Sequence, residues 1–187
     1  LNLQRRYFLA FIAACGLSGC AGTPAIYYRL EALPGTPVSV GAANIVVRSV
    51  TIPGYLDQNS IVKPGAAFQV NSFANAEWAE PLADMLQAVM VQDLAQRMPA
   101  ATVISDRTIG APARRQIEID VQRFDFDPDG TIRLIAQLAV KRGAWVRKGF
   151  QASAVLAGPD AGAVAATMSS LWAAAADKVS SMVAASQ

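Results

Sequence analysis

The sequence predicts an α/β chain of the α+β kind: a single-domain sandwich in which a mixed, largely antiparallel sheet carries two main amphipathic helices. Three observations predict it. Two runs with apolar residues at alternate positions, 116–127 and 131–142, are joined by Asp127-Pro128-Asp129-Gly130, which is turn chemistry between antiparallel strands. Leu82, Met85, Leu86, Val89 and Met90 fall at i, i+3, i+4, i+7 and i+8, one apolar face of a helix. Residues 161–185 form a second, longer helix, with Val164, Met168, Leu171, Trp172, Ala175, Val179, Met182 and Val183 on one side. A chain of 187 residues has room for one such core and hardly for two.

Residues 25–31 read as the first strand, with Ile26, Tyr28 and Leu30 on one face and Tyr27 and Arg29 on the other. Pro34, Gly35, Pro37 and Gly41 make residues 33–41 a loop. The β-branched run 44–52 is continuous enough for a buried central strand and ends at Pro53-Gly54. Short strands are expected over 60–63 and 67–73. Pro81 suits the first turn of a helix, where its missing N–H is not needed, and Pro99 marks the stop. Asp84, Gln87 and Asp93 lie off that helix's apolar stripe. Residues 101–105 are a candidate strand and 109–113 a loop. In the first long run Ile117, Ile119 and Val121 alternate with Glu118, Asp120 and Gln122, and then Phe124 and Phe126 continue out of phase. The slip at Gln122-Arg123 predicts a bulge. Ile132, Leu134, Ala136, Leu138 and Val140 keep strict alternation on the return, and a last strand follows Gly143-Ala144 over 145–157.

Residues 1–20 carry the parts of a secretory signal: Arg5 and Arg6, an apolar core from Tyr7 to Ala14, and a small-residue cut site. Leu17-Ser18-Gly19-Cys20 fits the bacterial lipobox at all four positions, which makes Cys20 the expected lipidation site. The chain then divides into a signal peptide (1–19), a lipidated tether (20–24) and one domain (25–187). Arg5-Arg6-Tyr7-Phe8-Leu9 also fits the twin-arginine export pattern, although any basic start can supply two arginines, and ordinary Sec export is the expectation. Ala21, where an aspartate would hold an enteric lipoprotein at the inner membrane, favours the outer membrane.

Composition removes several function classes. Loss of residues 1–19 takes Arg5 and Arg6 and no acid, bringing the 16 basic residues level with the 14 acidic ones. A neutral domain offers no clustered cations for phosphates, so no nucleic acid is expected. Arg114-Arg115 and Lys141-Arg142 read as solvated sheet edges. The chain has no histidine, and Cys15 would leave with the signal peptide, so Cys20 has no thiol partner. Ser-His-Asp and Cys-His nucleophile systems are therefore excluded, and no metal site or cofactor is expected. Asp125 to Gly130 imitates the start of a calcium-binding loop. However, the twelfth position is Ala136, where a glutamate is needed, and both flanks are strands. Glu77 and Glu80 sit at a helix start, Glu118 and Asp120 on an outward strand face, and neither pair lies in a polar cleft. No enzyme is expected.

Residues 50–57 (Val-Thr-Ile-Pro-Gly-Tyr-Leu-Asp), the Ile61-Val62 that follows, and Trp78-Ala79-Glu80-Pro81-Leu82 with its helix to Pro99 resemble the PqiC/YmbA-like lipoproteins, auxiliary components of ABC-type transport systems. The resemblance is specific from Val50 to Pro99 and rests on pattern alone in the hairpin and last helix. It implies a compact sandwich beside an ABC permease, its ATPase and an MCE-domain protein that carries lipid between the two membranes. The lipoprotein's implied part is non-catalytic, binding the MCE component and linking it to the outer membrane. Tyr55, Leu56, Asp57 and Trp78 are the matching positions, read as partner-contact candidates or as buttresses of the sheet-to-helix corner. The other readings are a stand-alone lipid-binding carrier, which needs a roomy apolar cavity, and a tethered adaptor of another envelope machine. A homo-oligomer is open to a coupling subunit, and nothing in the pattern demands one.

Overall fold

The structure, a computed structural model, describes residues 23–66, 68–106 and 115–185. The long antiparallel hairpins form because residues 115–155 alternate almost without interruption. β6 (Arg115–Phe126), β7 (Thr131–Arg142) and β8 (Ala144–Val155) pair in sequence, and β2 (Asn44–Thr51) joins β6 in parallel. With β5 (Thr102–Ser105) they make a five-stranded sheet in the order β5-β2-β6-β7-β8. A second sheet, ordered β1-β4-β3, holds β1 (Ile26–Tyr28), β4 (Asn71–Trp78) and β3 (Ser60–Lys63). The antiparallel ladders are the long ones, so the expected mixed, mainly antiparallel sandwich is what forms, divided between two sheets.

The first turn of β6–β7 closes where Gly130 takes a φ of 82°, and the second closes at Gly143 with 79°, left-handed values that glycine reaches without strain. The predicted bulge is present as a register shift between Val121 and Arg123, and it puts Phe124 back on the inner face. β4 begins at Asn71 rather than 67 and runs on to Trp78, because its far half pairs with β1 as Ile26↔Ala76 and Tyr28↔Trp78. That long-range partner leaves no mark in the local pattern. Residues 109–113 and Arg114, read above as a loop and a sheet edge, lie outside the described residues.

Helix α1 (Leu82–Arg97) lies over β2 and β5, and α2 (Ala161–Ala185) over β7 and β8, on one face of the larger sheet. The predicted stripes of both helices are buried. Trp172 is the largest fully buried side chain: its ring stacks on Phe124 at 6.4 Å, and its Nε1–H donates to the Leu86 carbonyl at 2.9 Å. The opposite face of the sheet stays open and polar. There Thr51 donates to Asp120, and Trp145 lies between Lys141 and Arg147, each under 6 Å from its ring centre.

Two expectations about polar residues fail, each because a distant segment packs on the residue. Asp93 and Gln87 lie off the apolar stripe yet are buried, Asp93 under the segment leaving β1 and Gln87 against β2. Gln87 donates its amide to the Val47 carbonyl at 2.8 Å, joining α1 to the sheet. Asp93 Oδ1 accepts the Leu33 amide at 2.8 Å and lies 3.4 Å from Arg97, itself fully buried. The Arg97 guanidinium donates to the carbonyls of Leu33, Asp93 and Ala173 at 3.1 Å each and to Asp177 at 2.5 Å. A Cβ on Gly35 would overlap that guanidinium, so a larger residue there would have to displace Arg97 from its acceptors. Arg115 departs from the solvated-edge reading as well: it is buried and donates to the Val183 carbonyl near the end of α2.

Candidate functional site

The residues that carry the sequence motif gather where β2 leaves the sheet. Pro53, with extended backbone, turns the chain into a short 3-10 helix, Gly54–Leu56, closed by Leu56 N–H to the Pro53 carbonyl at 2.9 Å. Leu56 is driven inward and is only 2 % exposed, which pins the turn to the core. Tyr55 is half-buried against the same core, and Asp57, next to the anchor, is exposed. Trp78 is buried at the end of β4, with its amide donating to the Asn59 carbonyl at 2.7 Å. Three of the four candidates are thus neighbours in one turn. Trp78 is tied to the segment that follows that turn and to β1. Cys20 lies outside the described residues.

Tyr55 reaches the tip of the β6–β7 hairpin. Burial, and then the Asp125 carboxylate beside its hydroxyl, push the phenol up to about 12, so it stays neutral and donates its proton to that carboxylate. Asp125 is held by Arg123 at 2.5 Å, Arg123 also holds Asp127 at 2.7 Å, and Arg133 reaches Asp127 from β7 at 2.5 Å. Arg123, Asp125 and Asp127 fall at every second position on one strand face once the bulge has reset the register. The bulge therefore builds the ion cluster as well as the core contact of Phe124. Two of its acids lie in the Asp125-to-Gly130 run read above as a turn, and the phase slip at Gln122-Arg123 is the signal that could have placed Arg123 beside them.

A cavity of about 320 Å³ opens between this hairpin and the β3–β4 connection, lined on one side by Arg123, Asp125 and Phe126 and on the other by Lys63, Phe68 and Asn71. That volume is at the low end for small-molecule pockets, ~300–1,000 Å³. Between the helices and the sheet, Trp172, Phe124, Met90 and Leu134 fill the interior. Among the described residues no cluster of three or more His, Cys, Asp or Glu is placed to hold a metal ion, and no helix is long and apolar enough to cross a membrane. The arrangement suits contact rather than chemistry: a stiffened corner with a charged rim.

The hydrogen bond from Arg133, helped by Arg123 and opposed by burial, holds the Asp127 carboxyl below its ordinary 3.8. A carboxyl depressed in the folded state contributes stability above its unfolded value and loses it as pH falls through the folded one. Asp127→Asn should therefore destabilise the protein at neutral pH, with the difference from the parent shrinking below about pH 4. Urea unfolding across pH 2–7 reads this directly; a difference independent of pH would show that the ion cluster does not titrate as described.

Comparison with known proteins gives three findings. The family model described as "ABC-type transport auxiliary lipoprotein component" matches residues 28–180. The intermembrane transport lipoproteins PqiC of Escherichia coli (strain K12) and Shigella flexneri are each 27% identical over 154 residues, which is 79% of this chain and 81% of theirs. Two crystal structures share the fold. One, of an uncharacterized protein, has a TM-score of 0.73 at 18% identity and covers 86% of this chain and 99% of its own. The other, from Xanthomonas campestris, has a TM-score of 0.61 at 20% identity, covering 85% and 93%.

Proposed function

We propose, from the premise that the chain belongs to the family of ABC-type transport auxiliary lipoprotein components, that it couples an envelope lipid transporter to the outer membrane. The family assignment makes it a non-catalytic accessory of a transport system, and the match over residues 28–180 is the observation that carries the reading. The finer parts are ours. Acyl chains on Cys20 hold the domain on the periplasmic side of the outer membrane, and the domain binds the MCE-domain protein of a system that also has an ABC permease and ATPase. The transported cargo is phospholipid, and loss of the protein weakens the envelope.

The corner at Tyr55 and Asp57 supplies the contact. Leu56 and Trp78 act from beneath, since each is buried and can position the turn without touching a partner. Tyr55 offers a neutral hydroxyl and Asp57 a carboxylate on a backbone fixed by Pro53 and the hairpin cluster, so little order has to be gained on binding. Affinity purification of the intact lipoprotein from solubilised envelopes is expected to recover the MCE and ABC components. Asp57→Lys should reduce that recovery several-fold without changing thermal stability. Recovery of neither component with the parent protein would sink the reading.

A further inference from the structure

We propose that the connection between β3 and β4, with Phe68 at its tip, is a membrane-facing prong that enters the interface of the bilayer to which the chain is anchored. The proposal rests on the lipid-anchor reading of Cys20 and adds to it an orientation of the domain on its membrane.

Phe68 has no internal explanation. Its side chain is fully exposed, Val70 beside it is 56% exposed, and every described residue over 63–70 is open to solvent. The Gln69 amide donates to the Ala66 carbonyl at 3.1 Å, which makes 66–69 a tight turn with Phe68 at its third position. There Phe68 takes a φ of 66°, a left-handed value at the turn position that glycine normally fills. A bulky aromatic in that conformation costs stability, and nothing in the fold packs on it to offset the cost. Its apolar surface is left open to something outside the molecule.

The tether says what lies outside. β1 runs parallel to β4 with Ile26 level with Ala76, so the chain enters β1 from the side on which β4 begins, at Asn71. The five residues from Ala76 back to Asn71 span ~17 Å at ~3.3 Å each. The six residues from Cys20 to Ile26 reach up to ~20 Å. The acylated residue can therefore reach the level of Asn71, three residues from Phe68, on the same side of the domain. Ile26 and Tyr27, on the way, are 58% and 65% exposed. Between Asp57 and Glu77 there is no acidic residue, and the one charge is that of Lys63. The loop itself is apolar with one lysine, and the Asp125 and Asp127 carboxylates of the hairpin facing it are paired with Arg123 and Arg133, which suits insertion of the loop at the interface. The β7–β8 turn at Gly143 stands at the other end of β7 from the hairpin that faces this loop, and so points away from the bilayer.

The test uses the mature lipoprotein reconstituted in vesicles of phosphatidylethanolamine and phosphatidylglycerol. An environment-sensitive fluorophore is placed at Gln69→Cys or, as the distal control, at Ala144→Cys. Lipids bearing a quencher should suppress the signal at 69 several-fold more than at 144. Phe68→Ser with Val70→Ser should abolish the difference, and Phe68→Leu should keep it. Equal quenching at both positions, none at 69, or a blue shift at 69 that follows protein concentration instead of lipid would overturn the proposal, the last by identifying a second copy as the occupant. The mass of the mature chain reads acylation of Cys20 separately. An unmodified Cys20 would sink the anchor reading and this proposal with it, whereas an acylated Cys20 with no quenching at 69 would sink this proposal alone.

Discussion

Arg97→Ala is expected to destabilise the domain by roughly 3–5 kcal/mol, the cost of leaving a buried charge without its partner. That is a large part of the ~5–15 kcal/mol by which a domain is stable, so the variant should unfold at much lower urea and accumulate poorly. The loss has identifiable sources. Arg97 alone joins the segment at Leu33, both helices through Ala173 and Asp177, and the Asp93 carboxylate, and it is itself fully buried. Arg97→Lys keeps the charge but not the planar fork that reaches five acceptor atoms, and should recover only a minor part. A variant within about 1 kcal/mol of the parent would show that the crossing segment is held by apolar contacts alone.

Asp93 gives the same network a pH signature. Burial pushes its carboxyl above the usual value, against the Leu33 amide and the Arg97 charge that favour ionisation, and its Oδ2 has no hydrogen-bond partner among the described residues. The folded state then holds a proton that the unfolded chain has released, so Asp93's contribution falls as pH rises from about 4 through its raised value. The stability difference between the parent and Asp93→Asn should fall over that window, opposite in sign to the Asp127 effect.

Replacement of Cys20 by alanine, behind a signal sequence cut by ordinary signal peptidase, is expected to move essentially all of the protein from the membrane fraction to the soluble periplasm. A single acyl chain binds membranes only marginally, whereas several hold a domain there, so removing all of them leaves nothing comparable. The Phe68 tip would orient an anchored domain without retaining a free one. The fold should be untouched, because the buried core among the described residues begins at Leu30, ten positions beyond Cys20. Equal thermal unfolding of the two forms checks this, and continued membrane retention after a carbonate wash would mean that Cys20 is not the anchor.

The Tyr55 corner was half legible. Its residues stood out as a motif, and Pro53-Gly54 announced the turn. The partners that stiffen it, Arg123, Asp125 and Arg133, come from a hairpin some seventy residues away and are identified only by register. Phe68 carried no signal, since the run 67–73 read as a short strand, where one aromatic is ordinary until its backbone angle and exposure are known.

The sequence by itself determined the secondary structure of this protein in most places. The helix over 161–185, the hairpins and the bulge follow from the period of apolar residues and from turn chemistry, both of which act within a few positions. It also determined which chemistries are missing, because a side chain the chain lacks cannot be supplied by folding. Only the tertiary structure decided the division into two sheets, the burial of Asp93, Arg97 and Arg115, and the late start of β4. Each depends on a segment distant in sequence: β1 extends β4 to Trp78, and the crossing loop turns an outward helix face into an interior. Solvent exposure belongs to the assembled surface, so the local period gives a residue's direction and the rest of the chain decides what lies in that direction.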